Sequence, residues 1–568
     1  MRAKFLFYAC LAIALFLVWR LADVQVREGS RFASEALAQR SDTVEVFARR
    51  GSILDRDGNV MVRSLPSESV YAVPKDIADP DRTVRRLATV VGKLSPETVA
   101  ALHDKRLWFA WIARKVPHEL AERVRALDLD GIALKEEDSG LRVDSSGTLA
   151  STILGFVGTD ENGLDGVEYA YDSTLRGRSG SMMLEADEFG RPIPFGRERI
   201  VKPAEPGANV ELTIDAYLQF AAEHALAKQV KAFHALDGTA IVMDPWTGEV
   251  LAMANEPDFD PNRFWKYGDG ARRDRAVMDA YEPGSTFKLV TAAAALESHK
   301  VTLETRFPAR DELEVGGRVI HNAEDDMPIS GSTETLEQIV QYSHNVGAAE
   351  VGTFVGPQTF YAMERRAGFG DPTNVGLPGE NPGIVPPPSE WSAPSLATMS
   401  FGQGVSVTPI AMARYYAAIA NGGLLMQPRI VRAVYDQQGH LESTSEPKVV
   451  RRVFSEQTAD ELRQFLRSVV LHGTGNPTAQ IAGYTTAGKT GTAQMVVGGE
   501  YRSGYYAASF IGMVPYEHPR YVIYVKIERP IGSYYGSVVA APAFAEIARA
   551  AMLHAGILPA AVAVKAHG

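Results

Sequence analysis

The sequence predicts an α+β protein that is attached to a membrane by one N-terminal helix. Two observations carry this prediction. An unbroken apolar run stands near the N-terminus, and the chain after residue 205 is patterned as strands, then many helices, then strands and a last helix. That order favours a sheet whose strands come from both ends of one domain, with a helical insertion between them.

Composition limits the classes of protein to consider. The chain has 568 residues, 45% hydrophobic and 22% charged, which excludes a disordered, collagen-like or many-span membrane protein. The 58 basic and 69 acidic side chains leave a net charge of −11, and no Lys/Arg tract is visible, so nucleic acid is not expected as a partner. The single cysteine, Cys10, excludes an intrachain disulfide and a zinc site built on thiolates.

Residues 5–22 form the predicted membrane anchor. As a helix they span about 27 Å, enough to cross the hydrocarbon core, and Arg20 lies near one end, where its side chain can reach the interface. Because Arg2 and Lys4 precede the run, the N-terminus is expected in the cytoplasm and the remaining chain outside. A cleaved signal peptide is the alternative, but residues 20–30 lack a small-residue cleavage site, so we expect an uncleaved single-span anchor.

Three patterns mark the region that follows. Residues 50–58 predict a short strand that leads into an Asp-Gly turn, and residues 117–127 predict a helix that begins with proline. The Pro- and Gly-rich stretch at 202–207 is the candidate domain boundary. We therefore divide the chain into a cytoplasmic tail (1–4), the anchor (5–22), a first domain (23–205), a second domain (206–555) and a C-terminal tail (556–568).

The second domain is predicted to start with a strand at 210–214 and a helix at 216–233. Two strands, 239–243 and 249–254, then flank a turn at 244–248. The later predicted elements are helices at 286–297 and 408–420, strands at 508–514 and 521–527, and a last helix at 541–554.

Ser285 is the candidate nucleophile. It follows Gly284 at a predicted helix start, and Lys288 lies three residues on, on the same helix face. A serine hydroxyl is a weak nucleophile that needs a neighbouring base, and a desolvated lysine can be that base. A second S-x-x-K sequence begins at Ser445, where Pro447 would break the helix, so we interpret that copy as surface loop.

Ser343-His344-Asn345 is the second candidate sequence, and it lies between helical runs at 335–342 and 346–355. The hydroxyl of Ser343 can relay a proton, and the amide of Asn345 can bond both a lysine and a substrate carbonyl. The alternative is a serine that only caps a helix.

Lys489-Thr490-Gly491-Thr492 is the third candidate sequence, within a β-branched stretch that predicts a strand. Lys489 supplies a positive charge and the threonines supply hydroxyls, which suits a carboxylate, and glycine allows another chain to come close. The alternative is an edge strand with a solvated lysine.

The order S-x-x-K, S-x-N, K-T-G resembles the motif set of penicillin-binding proteins and serine β-lactamases. Ser343 lies 58 residues after Ser285, and Lys489 lies 146 residues after Ser343. The anchor, the R-G-x-I-x-D-R-x-G stretch at 50–58, and Gly402-Gln403-Gly404 followed by Val-Thr-Pro at 407–409 resemble class B penicillin-binding proteins.

The resemblance implies a penicillin-binding transpeptidase or serine β-lactamase-like domain, in which an antiparallel sheet has helices on both sides. It also implies that 23–205 is an extended, dimerisation-like pedestal domain. The implied reaction is peptidoglycan D,D-transpeptidation through a serine acyl-enzyme, with no cofactor and no metal, and with penicillin bound as a substrate mimic.

Roles for individual residues follow from the resemblance. Lys288 would remove the proton from Ser285, which attacks the penultimate D-Ala carbonyl of a stem peptide. Ser343 would pass the proton to the leaving amine, and Asn345 would hold Lys288 and the donor amide. The backbone amides of Ser285 and Thr492 would form the oxyanion hole. The substrate-binding residues would be Lys489, Thr490, Gly491 and Thr492.

The cell-division type is the most similar within class B, and elongation- and sporulation-type paralogues remain open. A β-lactam hydrolase or membrane sensor is an alternative from another class, but an E-x-x-L-N glutamate is absent between 345 and 489. A non-catalytic scaffold is disfavoured by the intact motifs. His344 replaces the common aspartate, and we interpret it as an ordinary loop histidine without chemistry.

Partners and location are also implied by the resemblance. They are peptidoglycan stem peptides, β-lactam antibiotics, a polytopic lipid II polymerase that docks on the anchor and on 23–205, and other cell-division proteins. The catalytic domain is expected outside the cytoplasmic membrane, in the periplasm if the cell is Gram-negative.

Overall fold

The computed structural model describes residues 2–32, 41–185, 198–323 and 333–560, and these form two compact units. Unit 1 comprises 1–50, 66–141 and 176–207, and unit 2 comprises 51–65, 142–175 and 208–568. The chain therefore enters unit 2 twice before residue 208.

The N-terminal helix is long and strongly apolar. It runs as an α-helix from Arg2–Ala22 and continues as a π-helical turn through Asp23–Arg27, and its apolar side chains are unburied. Arg20 forms an ion pair with Asp23 over 2.6 Å at the end of the apolar run. A helix of this length, left uncovered by the other described residues, fits a single-pass membrane anchor.

Unit 1 has a small core of its own, which includes Val70, Leu87, Leu102, Val116 and Val124. The predicted helix at 117–127 is confirmed as His118–Arg125. The other helices are Pro74–Asp76 (3-10), Pro80–Val91 and Pro96–His103. The strands are Ser41–Val46, Gly180–Glu185 and Glu198–Lys202, which form one antiparallel sheet, and Ala110–Pro117 and Ile132–Asp144, which pair with the strand Val60–Ala72.

The central sheet of unit 2 confirms the prediction that its strands come from both ends of the domain. Five strands pair antiparallel in the order Val250–Glu256, Asp237–Met243, Tyr521–Glu528, Glu500–Val514 and Ala487–Val497. The three strands from the C-terminal part of the chain thus complete a sheet that the first two begin.

Helices cover both faces of this sheet. Ala216–Ala232 and Ala541–His554 pack on one face, where Leu226, Val242 and Phe544 belong to one apolar cluster. Pro409–Ala420 packs on the opposite face, and the hydroxyl of its Tyr415 donates to the carbonyl of Leu289 on the helix Lys288–Glu297. The predicted α+β architecture with helices on both sides is confirmed.

A second sheet explains why early segments belong to unit 2. Ile53–Leu54 lies between Asn209–Leu212, with which it pairs in parallel, and the start of Val60–Ala72. Val431–Tyr435 and Leu441–Thr444 extend this sheet from the other side of Asn209–Leu212. The strand predicted within 50–58 is confirmed as the two-residue strand Ile53–Leu54.

The remaining elements of unit 2 are short or peripheral. Three two-stranded sheets join Arg306–Pro308 with Thr333–Thr335, Glu312–Val315 with Arg318–His321, and Leu424–Met426 with Val449–Arg452. The other helices are Ser151–Leu154, Gly166–Ala170, Asp172–Leu175, Pro261–Lys266 (3-10), Asp269–Arg272, Arg275–Met278, Gly284–Phe287 (3-10), Leu336–Tyr342, Asn345–Val355, Pro357–Arg366, Pro388–Glu390 (3-10), Ser395–Met399, Glu456–His472 and Gly536–Val539.

Candidate active site

Ser285 lies on a tight turn that leads directly into a buried helix. The prediction placed it in the first turn of an α-helix, but this turn, Gly284–Phe287, is a 3-10 helix that continues as Lys288–Glu297. Residues three apart lie on the same side of a 3-10 turn, so the hydroxyl of Ser285 and the side chain of Lys288 share one face.

A close backbone contact supports this turn. The N–H of Gly284 donates to the carbonyl of Gly402 over 3.1 Å, and a Cβ on Gly402 would lie 2.3 Å from the Gly284 carbonyl oxygen. The Gly402-Gln403-Gly404 sequence therefore has a structural role, because only a residue without a side chain fits behind the serine turn.

Lys288 is buried, and its ammonium has three acceptors on the S-x-N sequence. Nζ donates to the backbone carbonyl of Ser343, to Ser343 Oγ over 3.2 Å and to Asn345 Oδ1 over 2.9 Å. Asn345 is itself fixed, since its Nδ2 donates to the carbonyl of His321 over 3.1 Å. The structure thus brings the first two motifs together around one buried cation.

Ser343 occupies a left-handed conformation, with φ of 66°, where the helix Leu336–Tyr342 ends and Asn345–Val355 begins. It therefore does end a helix, as the alternative interpretation held, but it also bonds Lys288. The turn presents both the carbonyl and the hydroxyl of Ser343 to the same lysine.

Lys489 is fully buried and bonds to the same hydroxyl. Its Nζ donates to Ser343 Oγ over 2.9 Å and to the carbonyl and Oγ1 of Thr490 over 3.1 and 3.3 Å. Its strand, Ala487–Val497, does lie at the edge of the central sheet. The alternative of a solvated lysine is nevertheless wrong, because the side chain points into the protein.

The residues that follow Lys489 contact neighbouring segments on both sides of their strand. Thr490 Oγ1 lies 2.7 Å from Thr474 Oγ1, and Thr492 Oγ1 accepts from the N–H of Gly536 over 3.3 Å. A Cβ on Gly491 would lie 2.2 Å from Ser509 Oγ on the adjacent strand. Glycine at this position therefore avoids a clash with Ser509, in addition to leaving room for another chain to come close.

These residues border one cavity of about 1140 Å³. Ser285, Ser343, Asn345, Thr490 and Thr492 line it, while Lys288 and Lys489 are buried next to it. Gln403, from the Gly402-Gln403-Gly404 motif, also lines it, whereas the sequence did not point to the other lining residues, which include Asp311, His321, Asn322, Thr474, Gln494, Tyr506, Tyr534, Tyr535, Gly536 and Ser537. The two flanking glycines were the sequence feature that drew attention to Gln403.

His344 differs from its interpretation as an ordinary loop histidine. It is buried, and its Nδ1 bonds to Glu334 Oε2, which is also buried. The histidine does not line the cavity. The side chains of His344 and Glu334 therefore form a buried, hydrogen-bonded pair beside the S-x-N turn.

Glu282, three residues before Ser285, ties the serine turn to its surroundings. Its Oε1 accepts from the N–H of Gly404 over 2.8 Å and from the hydroxyl of Tyr501 over 3.1 Å. Burial raises the pKa of the Glu282 carboxyl, and the hydrogen bond from Gly404 opposes that rise. The carboxyl thus links the Gly404 loop and the hairpin that carries Tyr501.

Possible metal ligands lie elsewhere. Within the described part of the chain, Glu68, His118 and Glu122 are the one group of acidic and histidine side chains close enough to share an ion. They belong to unit 1, two of the three are exposed, and none lines the cavity.

Comparisons with known protein families match both parts of the chain. The model for the penicillin binding protein transpeptidase domain matches residues 238–549. The model for the penicillin-binding protein dimerisation domain matches residues 45–212.

Several curated proteins are similar over nearly the whole chain. Stage V sporulation protein D of Bacillus subtilis is 34% identical over 98% of this chain and 86% of that protein. Penicillin-binding protein PbpB of Mycobacterium tuberculosis is 34% identical over 95% and 82%, and peptidoglycan D,D-transpeptidase FtsI of Escherichia coli is 32% identical over 95% and 89%. A crystal structure of penicillin binding protein 3 from M. tuberculosis, complexed with aztreonam, has a TM-score of 0.71 at 29% identity, covering 91% of this chain and 98% of that chain.

The fold, the three converging motifs and these matches define a penicillin-binding protein with a transpeptidase domain and a dimerisation domain. The chain belongs to the class B penicillin-binding proteins, of the type that includes FtsI, PbpB and stage V sporulation protein D. It is a peptidoglycan D,D-transpeptidase.

Proposed function

We propose that Ser285 is the nucleophile of this transpeptidase and that Lys288 accepts its proton. The observation that carries the proposal is the meeting of Lys288 and Lys489 at Ser343 Oγ, next to the serine turn. Burial and a neighbouring cation both favour the neutral amine form of a lysine, which is the form that can act as a base. Ser285 lines the cavity, so a substrate carbonyl can reach it.

Ser343 then completes the proton path. Its hydroxyl accepts hydrogen bonds from both lysines, so it can take a proton from Lys288 and pass it to the leaving amine of D-Ala. Asn345 holds Lys288 through Oδ1 and lines the cavity, where it can also bond the donor amide. The hydrogen bonds of Lys288 to Ser343 and Asn345 exist before substrate binds.

The third motif binds the substrate carboxylate in this proposal. Lys489 supplies the charge, and the hydroxyls of Thr490 and Thr492 line the cavity. The backbone N–H groups of Ser285 and Thr492 form the oxyanion hole. Their segments are in contact, since a Cβ on Gly284 would lie 3.2 Å from the Thr492 carbonyl oxygen.

Penicillin is proposed to acylate Ser285 as a substrate mimic. A matched solved structure, penicillin binding protein 3 of M. tuberculosis, is complexed with ampicillin, which supports a β-lactam ligand for this cavity. The test is labelling with fluorescent penicillin. Ser285→Ala should abolish labelling while Ser445→Ala, in the other S-x-x-K sequence, should keep it. Persistent labelling of Ser285→Ala would refute the assignment.

The cellular role is proposed to be septal cell-wall synthesis, with elongation and sporulation as the alternatives that relatives of this type keep open. Partners would be a polytopic lipid II polymerase and other division proteins that dock on the anchor and the dimerisation domain. Depletion of the protein decides between the roles: filaments indicate division, round cells indicate elongation, and a defect confined to spores indicates sporulation.

The helix Arg2–Ala22 is proposed to remain as an anchor with its N-terminus in the cytoplasm. The basic residues Arg2 and Lys4 support this orientation. A tag placed before Met1 should stay with the full-length protein in membranes and be protected from protease in spheroplasts. Recovery of a mature chain that begins near residue 25 would contradict the proposal.

A further inference from the structure

The S-x-N turn is held in a conformation that serine adopts rarely. Ser343 has φ of 66°, a left-handed value that is sterically unfavourable for any residue with a side chain. Yet this conformation directs the Ser343 carbonyl and hydroxyl to Lys288. Surrounding contacts must therefore hold the turn in place.

One of these contacts is the buried pair of Glu334 and His344. Glu334 lies on the strand Thr333–Thr335, directly before Thr335, whose side chain caps the helix Leu336–Tyr342. His344 follows the same helix at its other end, and its Nδ1 bonds Glu334 Oε2. The pair thus joins the two ends of the helix that leads into Ser343.

The pair is closely packed. A Cβ on Gly347 would lie 2.3 Å from Glu334 Oε1, so the carboxylate fills the space above that glycine. The ring of Tyr342 stacks on the imidazole with centroids 5.8 Å apart. Among the described residues, His344 Nε2 has no hydrogen-bond partner, so Glu334 is the side chain that orients the imidazole.

We propose that Glu334 and His344 are a positioning pair for the S-x-N turn, an inference that rests on the proposed roles of Ser285 and Lys288. His344 does not line the cavity, so it exchanges no proton with substrate. Removing either side chain leaves the polar group of the other buried without its partner. That cost favours a rearrangement of the surrounding turn. The adjacent Ser343, already in an unfavourable conformation, is the residue that then moves away from Lys288.

The inference predicts a specific loss in acylation kinetics. Glu334→Ala should lower the rate constant of acylation by penicillin about ten- to hundred-fold, because a misplacement near 1 Å can cost that much. The dissociation constant of the complex before acylation should change less than about twofold, because Lys489 keeps its hydrogen bonds to Thr490 and the hydroxyls of Thr490 and Thr492 still line the cavity. Glu334→Gln, whose amide oxygen can still accept from Nδ1, should recover most of the rate.

A double-mutant cycle adds a second readout. If the two residues act only through their contact with each other, the double variant Glu334→Ala/His344→Ala should be acylated no more slowly than the slower single variant. His344→Ala also takes the place of Glu334→Ala if the latter does not fold. The matched control is Glu168→Gln, which breaks a buried pair with Arg142 that does not line the cavity. It should lower thermal stability and leave the acylation rate unchanged.

The outcomes separate the inference from the proposed function. Labelling that persists in Ser285→Ala would overturn the function. If Ser285 is the labelled residue, the positioning pair is overturned by any of three results. These are an unchanged acylation rate in folded Glu334→Ala, a loss confined to the dissociation constant, and additive losses in the double variant.

Discussion

Lys288 and Lys489 donate to one hydroxyl, Ser343 Oγ, over 3.2 and 2.9 Å, although they belong to the first and third motifs. Both ammonium groups are buried. Two positive charges that share one acceptor in a buried site repel each other. The hydroxyl is thus the point at which the three motifs become one site.

Ser343→Ala should disrupt this arrangement directly. It removes the acceptor shared by both lysines and the proposed proton relay while leaving Ser285 and the cavity walls in place. We expect the acylation rate constant to fall about 10²-fold or more, in the range of general acid–base catalysis. Stopped-flow labelling with penicillin measures it, with Ser445→Ala as the control. A rate within about threefold of the native value would contradict the relay.

Gly402→Ala should displace the turn Gly284–Phe287, which carries Ser285. The new Cβ would lie 2.3 Å from the Gly284 carbonyl oxygen, so the turn that carries Ser285 must shift. We expect acylation at least about tenfold slower, since small misplacements of a reacting group are costly.

Gly439→Ala is the matched control for Gly402→Ala. Gly439 has φ of 85°, close to the 82° of Gly402, but a Cβ there would meet no atom within 4 Å. Both variants therefore carry the same backbone penalty, and only Gly402→Ala adds the close contact. Equal acylation rates for the two variants would show that the contact with Gly284 does not matter.

The acyl-enzyme formed with penicillin should be long-lived. A hydrolase needs a base that activates water at the ester, and the sequence lacks the E-x-x-L-N glutamate. Among the described cavity residues, Asp311 is the one carboxylate, and it is exposed. Intact mass after an hour with excess penicillin, and again after removal of the drug, should show one stable adduct. Rapid return to the unmodified mass with repeated turnover would instead indicate a β-lactam hydrolase.

Asp274 should make folding sensitive to pH. Burial raises the pKa of this carboxyl to about 7, against hydrogen bonds from Asn255 and Ala276 that lower it. In the unfolded chain the pKa is about 3.9. Between these values the folded protein holds a proton that the unfolded chain has lost, so the stability contributed by Asp274 falls as pH rises from about 4 to 7. Above pH 7 the contribution is constant, with a total change of up to about 4 kcal/mol.

Asp274→Asn cannot ionise and should remove this dependence. The unfolding temperature of the variant relative to the native protein should therefore rise between pH 4.5 and 7.5. Differential scanning fluorimetry of the detergent-solubilised full chain measures it. Asp269→Asn is the control, because the Asp269 side chain is 98% exposed and its substitution should give a pH-independent difference. A parallel pH dependence for native protein and Asp274→Asn would contradict the prediction.

Local chemistry was predictable because it depends on residues close in the chain. The spacing of Ser285 and Lys288 places both side chains on one face of any tight helix. At Ser445 the following Pro447 prevents such a helix, and Ser445 lies in a loop between two strands. The element order likewise predicted the central sheet. The division at 205/206 stays a prediction, while the compact units assign 51–65 and 142–175 to unit 2.

The sequence by itself determined the three motifs, the family they indicate, the apolar N-terminal helix and the order of strands and helices. Only the tertiary structure decided that Lys489 is buried although its strand lies at a sheet edge, and that His344 is buried against Glu334. The physical reason is that burial and the pairing of side chains depend on which distant segments pack together. Local pattern reports the periodicity of one segment and carries no information about what covers it.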